Sequence, residues 1–230
     1  MSHDFDPNDS MPDVVPTHPD FNEISINEDV PRHLDVLPDG TETLVIGDPE
    51  HCKDFNHPQG DNSLGYQGTC GLVSCEDVLR QFGVDVTEDD VVRYAHDHGL
   101  CSISDEPSQC GGTTELSQAQ LLTDLGVPAH PEFSGSLEDL ASHIENGQGT
   151  IIEVNAGVLW NDANYFDNGQ ANHAIVVTGV ARDPQTGDIQ GFYVNDSGRG
   201  SPDDSGRFLD AATMQNAWLD AGGSAVVTDV

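Results

Sequence analysis

The chain has 230 residues, 41 acidic and seven basic, for a net charge of −34, and Lys53 is its only lysine. So few cations assemble no basic patch, which excludes nucleic-acid binding through phosphate contacts and adsorption to an anionic membrane surface. No apolar run reaches the roughly 18 residues that suggest a membrane span, and the first twenty residues show neither a basic n-region nor an apolar h-region, so a cytoplasmic protein is the expectation.

Residues 1–40 are rich in Asp, Pro and Asn and poor in apolar side chains. They read as an extension, its first twenty or so residues disordered, ahead of one domain over residues 41–230. Glu23–Asn27 alternates weakly as a strand. Thr43–Ile46 does so more clearly and ends at Gly47-Asp48-Pro49. After a loop over residues 51–67, Leu72, Cys75, Leu79 and Phe82 recur at helical spacing. Gly83 stops that helix and Thr69 is its expected N-cap, which puts Cys70 in the first turn.

A second helix starts at Thr87 and ends at Gly99, a third follows Thr113 or Thr114, and a fourth follows Ser136. The period then changes. Residues 150–155, 173–181 and 189–195 read as strands, the last two joined by a turn over Asp183–Asp188. A helix over 210–220 and a strand over 224–227 complete the chain. Helices first and an antiparallel sheet second indicate an α+β fold.

There are five cysteines: Cys52, Cys70, Cys75, Cys101 and Cys110. Cys101 and Cys110 flank a loop and would pair in an oxidising compartment. A zinc site can be drawn from His51, Cys52 and His57, but the spacing matches no strong ligand pattern. Cys70 is the chemically distinctive thiol. At a helix start, free backbone N–H groups and the positive dipole end favour thiolate over thiol. Gly68 and Gly71 would let a substrate backbone come close.

A second element lies in the hairpin. A turn centred near Pro184 and Gln185 sets His173 opposite Asp196 on paired strands, within hydrogen-bonding reach. A one-residue slip would break that pairing. With Cys70 as nucleophile, His173 as base and Asp196 holding the imidazole, the set would carry out acyl chemistry. The oxyanion would need the Cys70 N–H and a side-chain amide just upstream, Gln67 or Gln59. Trp160 and the loop over 161–170 precede His173 and would wall a cleft or simply pack. This reading calls for no cofactor and no metal.

Thr69-Cys70-Gly71-Leu72-Val73-Ser74, followed by an amphipathic helix, resembles the nucleophile segment of papain-like cysteine peptidases, in the C39-like branch of bacteriocin-processing peptidases. His173-Ala174-Ile175-Val176-Val177-Thr178-Gly179-Val180 resembles that branch's histidine strand. Tyr193-Val194-Asn195-Asp196 resembles its carboxylate strand, with Ser197 where a proline usually stands. The resemblance covers residues 44–228 and implies a papain-like fold and peptide-bond hydrolysis after a small residue such as Gly. It also implies a peptide or protein substrate. Similar domains occur in bacterial toxin modules, where the partner would be an inhibitor or immunity protein. Where the family carries its oxyanion glutamine this chain has Leu64, and Gln67 is favoured over Gln59 for the role. The same three residues would serve a deamidase or transglutaminase acting on glutamine side chains, and the fold without catalysis would be a binding module.

Overall fold

The computed structural model describes residues 26–229. In chain order the elements are β1 (Arg32–Val36), β2 (Glu42–Gly47), α1 (Pro49–Cys52), α2 (Cys70–Gln81), α3 (Glu88–His98), α4 (Glu115–Asp124), β3 (Ala129–Glu132) and α5 (Leu137–Glu145). There follow β4 (Thr150–Val154), α6 (Ala156–Leu159), β5 (His173–Arg182), β6 (Ile189–Asn195), β7 (Arg207–Asp210), α7 (Ala211–Met214) and β8 (Ala225–Thr228). α7 continues through a wider π-turn over Gln215–Leu219.

The eight strands form one antiparallel sheet around β5, every residue of which is buried. Along one side β5 pairs with β6, and β7 lies beyond it. Along the other, β4 covers the first half of β5 and β2 the second. β8 and β3 continue the sheet beyond β4, and β1 beyond β2. The fold class is α+β, as the change of period indicates.

Successive strand residues face opposite sides, so Ile151 and Val176 enter one core while Ile152 and Ile175 enter the other. The first core holds Leu72, Val78 and Leu79 of α2, Val91 and Val92 of α3, and Leu121 and Leu122 of α4. The second holds Leu140 and Ile144 of α5, with Met214 and Trp218. Local signals at the helix ends hold up where they are self-contained. Thr87 and Ser136 form reciprocal capping boxes with Asp90 and Asp139. Thr114, not Thr113, caps α4. Gly99 closes α3 with φ at +68°.

Two expectations change. The sheet begins at Arg32, inside the stretch read as an extension, and Val30 is buried ahead of it. The weak strand at Glu23–Asn27 lies mostly outside the described residues, as do the first twenty, and Ile26 and Asn27 are not in a strand. No helix among the described residues is long and apolar enough to cross a membrane.

Candidate active site

Cys70 is the first residue of α2, and it stands there because Leu72, Cys75, Val78 and Leu79 bury one helix face against the sheet. Thr69 occupies the cap position, but its hydroxyl donates to Glu88 Oε1 at 2.7 Å and caps no helix amide. The positive helix end is therefore left open toward the thiol.

Glu88, buried at the start of α3, also accepts from the backbone N–H of Gly60 (2.9 Å) and Asp61 (2.8 Å) and from Asn62 Nδ2 (3.0 Å). This fastens the upstream loop. His57 adds a second tie, with Nε2 2.7 Å from Oε2 of buried Glu76. The hydrogen bond to Glu76, only partly opposed by burial, pushes the His57 pKa up to about 9. A folded-state value above the unfolded one stabilises fully below the ordinary histidine pKa, and that contribution is lost as pH rises through 9. The Tm deficit of His57→Gln is thus expected to be greatest near pH 6 and to close above pH 9. Thermal melts across that range at fixed salt test this, and a deficit independent of pH would count against it.

His173 opens β5 and is 4% exposed; Asp196 follows β6 and is 1% exposed. His173 Nε2 lies 2.7 Å from Asp196 Oδ1. Asp196 Oδ1 also accepts from the Gly198 N–H at 2.8 Å, and Oδ2 accepts from Trp160 Nε1 at 2.7 Å. Burial opposes charge on both partners, but their mutual bond and attraction prevail. Asp196 is held below the usual carboxylate range and His173 is raised, with the Cys70 thiol as a further hydrogen-bond partner that raises it. Since Nε2 is taken by Asp196, Nδ1 is the ring nitrogen left for the thiol.

The strand register differs from the expected one. The carboxylate of Asp183 accepts from the N–H groups of Gln185 and Thr186, and the turn is centred one residue later. Val176 pairs with Asn195, and the ladder carries a bulge between Val177 and Gly179. By extension of that register, Asp196 faces Ile175, while His173 pairs with Val154 of β4. The offset is two residues, so side-chain parity is kept, and the carboxylate reaches His173 along the diagonal.

Two further expectations are corrected. Gln67 is exposed and does not line the cleft; a Cβ at Gly60 would stand 2.8 Å from its Oε1. Gln59 does line the cleft with Cys70 and His173, and its Nε2 donates to the Gln67 carbonyl at 2.6 Å. Glu88 anchors the stretch between Gln59, which lines the cleft, and Gln67, which is exposed. Gly71 makes room for α4 rather than for a substrate, since a Cβ there would lie 2.1 Å from Thr113 Oγ1. Gly68 does line the cleft.

The cleft has a volume of ≈ 750 Å³. Trp160 forms part of its wall, its ring 5.0 Å from that of His173. Gly198 packs against both, and a Cβ there would fall 2.5 Å from Trp160 and 2.9 Å from His173. The Trp160 N–H bond to Asp196 escapes sequence reasoning, because nothing in the spacing of residues 160 and 196 signals it.

All five cysteines are free thiols. Burial, followed by the charges of Asp77 and Asp48, pushes Cys52 up to about 12, and burial raises Cys75 further. The drawn zinc set does not assemble: the His51 ring stacks edge-on to Phe55, Cys52 is buried, and His57 faces Glu76. No group of three metal-ligating side chains is present among the described residues.

A sequence model of the Peptidase_C39 like family matches residues 53–226. No curated protein matches the chain. Among solved structures, the chain is similar in fold to a Bacillus anthracis protein named as a C39-like peptidase, at 16% identity and a TM-score of 0.50, covering 76% of this chain and 98% of that one. The family span runs from the loop before Cys70 into β8, and the fold within it is the helix-then-sheet arrangement of the papain-like peptidases. The chain belongs to the Peptidase_C39 like family.

Proposed function

We propose that the protein is a cysteine peptidase that hydrolyses a peptide bond through Cys70, His173 and Asp196. The observation that supports this best is His173, buried between the Asp196 carboxylate and the Cys70 thiol at the open start of α2. His173 Nδ1 takes the thiol proton, and the thiolate attacks the substrate carbonyl carbon. The oxyanion is received by the Cys70 N–H and by the Gln59 amide, which has a second N–H beyond the one given to Gln67. His173 then gives its proton to the leaving amine as the C–N bond breaks, leaving a thioester. Water, deprotonated by His173, attacks the thioester, and Cys70 departs as thiolate.

Two readouts test this. Iodoacetamide is expected to alkylate Cys70 rapidly at pH 5–6, and the fast phase is expected to vanish in His173→Ala. Labelling that rises only near pH 8–9, equally in both proteins, would mean an ordinary thiol and sink the proposal. Peptide libraries read by mass are expected to show cut chains; a gain of one dalton without cleavage would assign the site to glutamine deamidation.

A further inference from the structure

One carboxylate in the cleft has no part in that chemistry. Glu153 lies on β4 and lines the cleft with Cys70 and His173. It is paired across the ladder with Ala174, the residue after His173. Its Oε1 accepts from Gln118 Nε2 at 2.6 Å, and its Oε2 has no partner among the described residues. Gln118 is 1% exposed and its Nε2 also donates to Thr113 Oγ1, while its Oε1 is buried without a partner. Among the described residues this corner therefore holds unmet acceptors and no paired cation. Glu153 is itself half-buried, so its Oε2 is open to the cleft, while the partial loss of water makes its charge costly to leave without a counterion.

We propose that Glu153 forms a specificity subsite that takes a basic substrate side chain, the ammonium of Lys or the guanidinium of Arg, beside the reacting thiol. The inference rests on the peptidase reading for its name as a subsite, but the binding it describes is measurable without turnover. An entering cation supplies the donors that Oε2 lacks. The groups facing Glu153 are Glu115 of α4, Cys75 of α2 and His173 of β5. Burial comes first in holding its pKa at about 7, with Gln118 opposing, Glu115 adding and His173 opposing. A bound cation favours the ionised form, so affinity rises as pH passes from 6 to 8. Arg199 also lines the cleft but pairs with Asp204 at 2.7 Å and lies over Trp160, leaving Glu153 unneutralised.

The test uses Cys70→Ala protein and acetylated, amidated hexaalanine peptides with one position replaced in turn by Lys or by norleucine, titrated calorimetrically at pH 8 and constant salt. In one register, Lys is expected to bind about tenfold or more tighter than norleucine. That preference is expected to disappear when Glu153→Gln is added, to survive in part with Glu153→Asp, and to shrink at pH 6. Should no register favour Lys, or should the preference persist undiminished in Glu153→Gln as an effect of the overall −34 charge, the proposal is overturned. Failure of the peptidase reading looks different: wild-type protein would bind the Lys peptide with the same preference yet leave it uncut.

Discussion

Alanine at Cys70 and alanine at His173 are each expected to lower kcat for peptide hydrolysis by about 10⁵-fold or more, and the double variant is expected to lose little beyond either single one. The reason is that in the proposed mechanism the two side chains act as a unit. Without His173 the thiol has no adjacent base, and without Cys70 the imidazole has no nucleophile to activate. Losses that multiply would mean independent contributions and a different mechanism. His173→Ala also leaves Asp196 buried without its main partner, although the N–H groups of Gly198 and Trp160 still reach it. His173→Gln is the companion variant: it keeps a donor toward Asp196 and removes the base. It is expected to be as inactive as His173→Ala while melting closer to wild type.

The second large effect is at Asp196. Asp196→Asn is expected to lower kcat/KM by about 10³-fold, mostly through kcat. The carboxylate receives three donors, two on Oδ1 and one on Oδ2. An asparagine can accept on one atom only, so its NH₂ must face either the Trp160 N–H or the His173 Nε2–H. If it keeps the histidine bond it meets a donor at Trp160, a buried clash that pushes the side chain out of place. Trp160→Phe removes that clash, so adding it to Asp196→Asn is expected to restore activity by about tenfold over Asp196→Asn alone. Trp160→Phe by itself is expected to reduce activity. If the second substitution brings no recovery, the Trp160 bond is not what makes a carboxylate necessary here.

What could be read in advance follows how local each signal is. α2 is visible in the sequence because its apolar spacing and its Gly83 stop lie within one stretch. The caps of α3 and α5 are visible for the same reason, each being a Ser or Thr with an Asp three residues on. β1 is not visible, since all five of its residues are exposed and it is held by its backbone ladder to β2. Gln67, favoured over Gln59 from sequence, is the one that faces away from the cleft, and the loop between them is anchored to Glu88 well downstream, a contact no local signal announces. The contact between His173 and Asp196 is legible despite a wrong register, as parity survives an even slip. The acceptor surplus at Glu153 is invisible for a different reason. It depends on α4 approaching β4 across the nucleophile helix, a contact that no stretch of sequence announces.

In the proposed mechanism the thiol and its base lie far apart in the chain: Cys70 heads the first long helix, and His173 and Asp196 belong to the β5–β6 pair. A ribosome therefore delivers the nucleophile about a hundred residues before its base, an interval of roughly 5–20 s at ordinary elongation rates. During that interval the proposed nucleophile stands without the imidazole, indole and carboxylate that surround it in the folded chain. On the proposed reading, the site is assembled only once β5 and β6 have closed onto the helices that precede them, so the activity belongs to the folded domain and not to the helical segment alone.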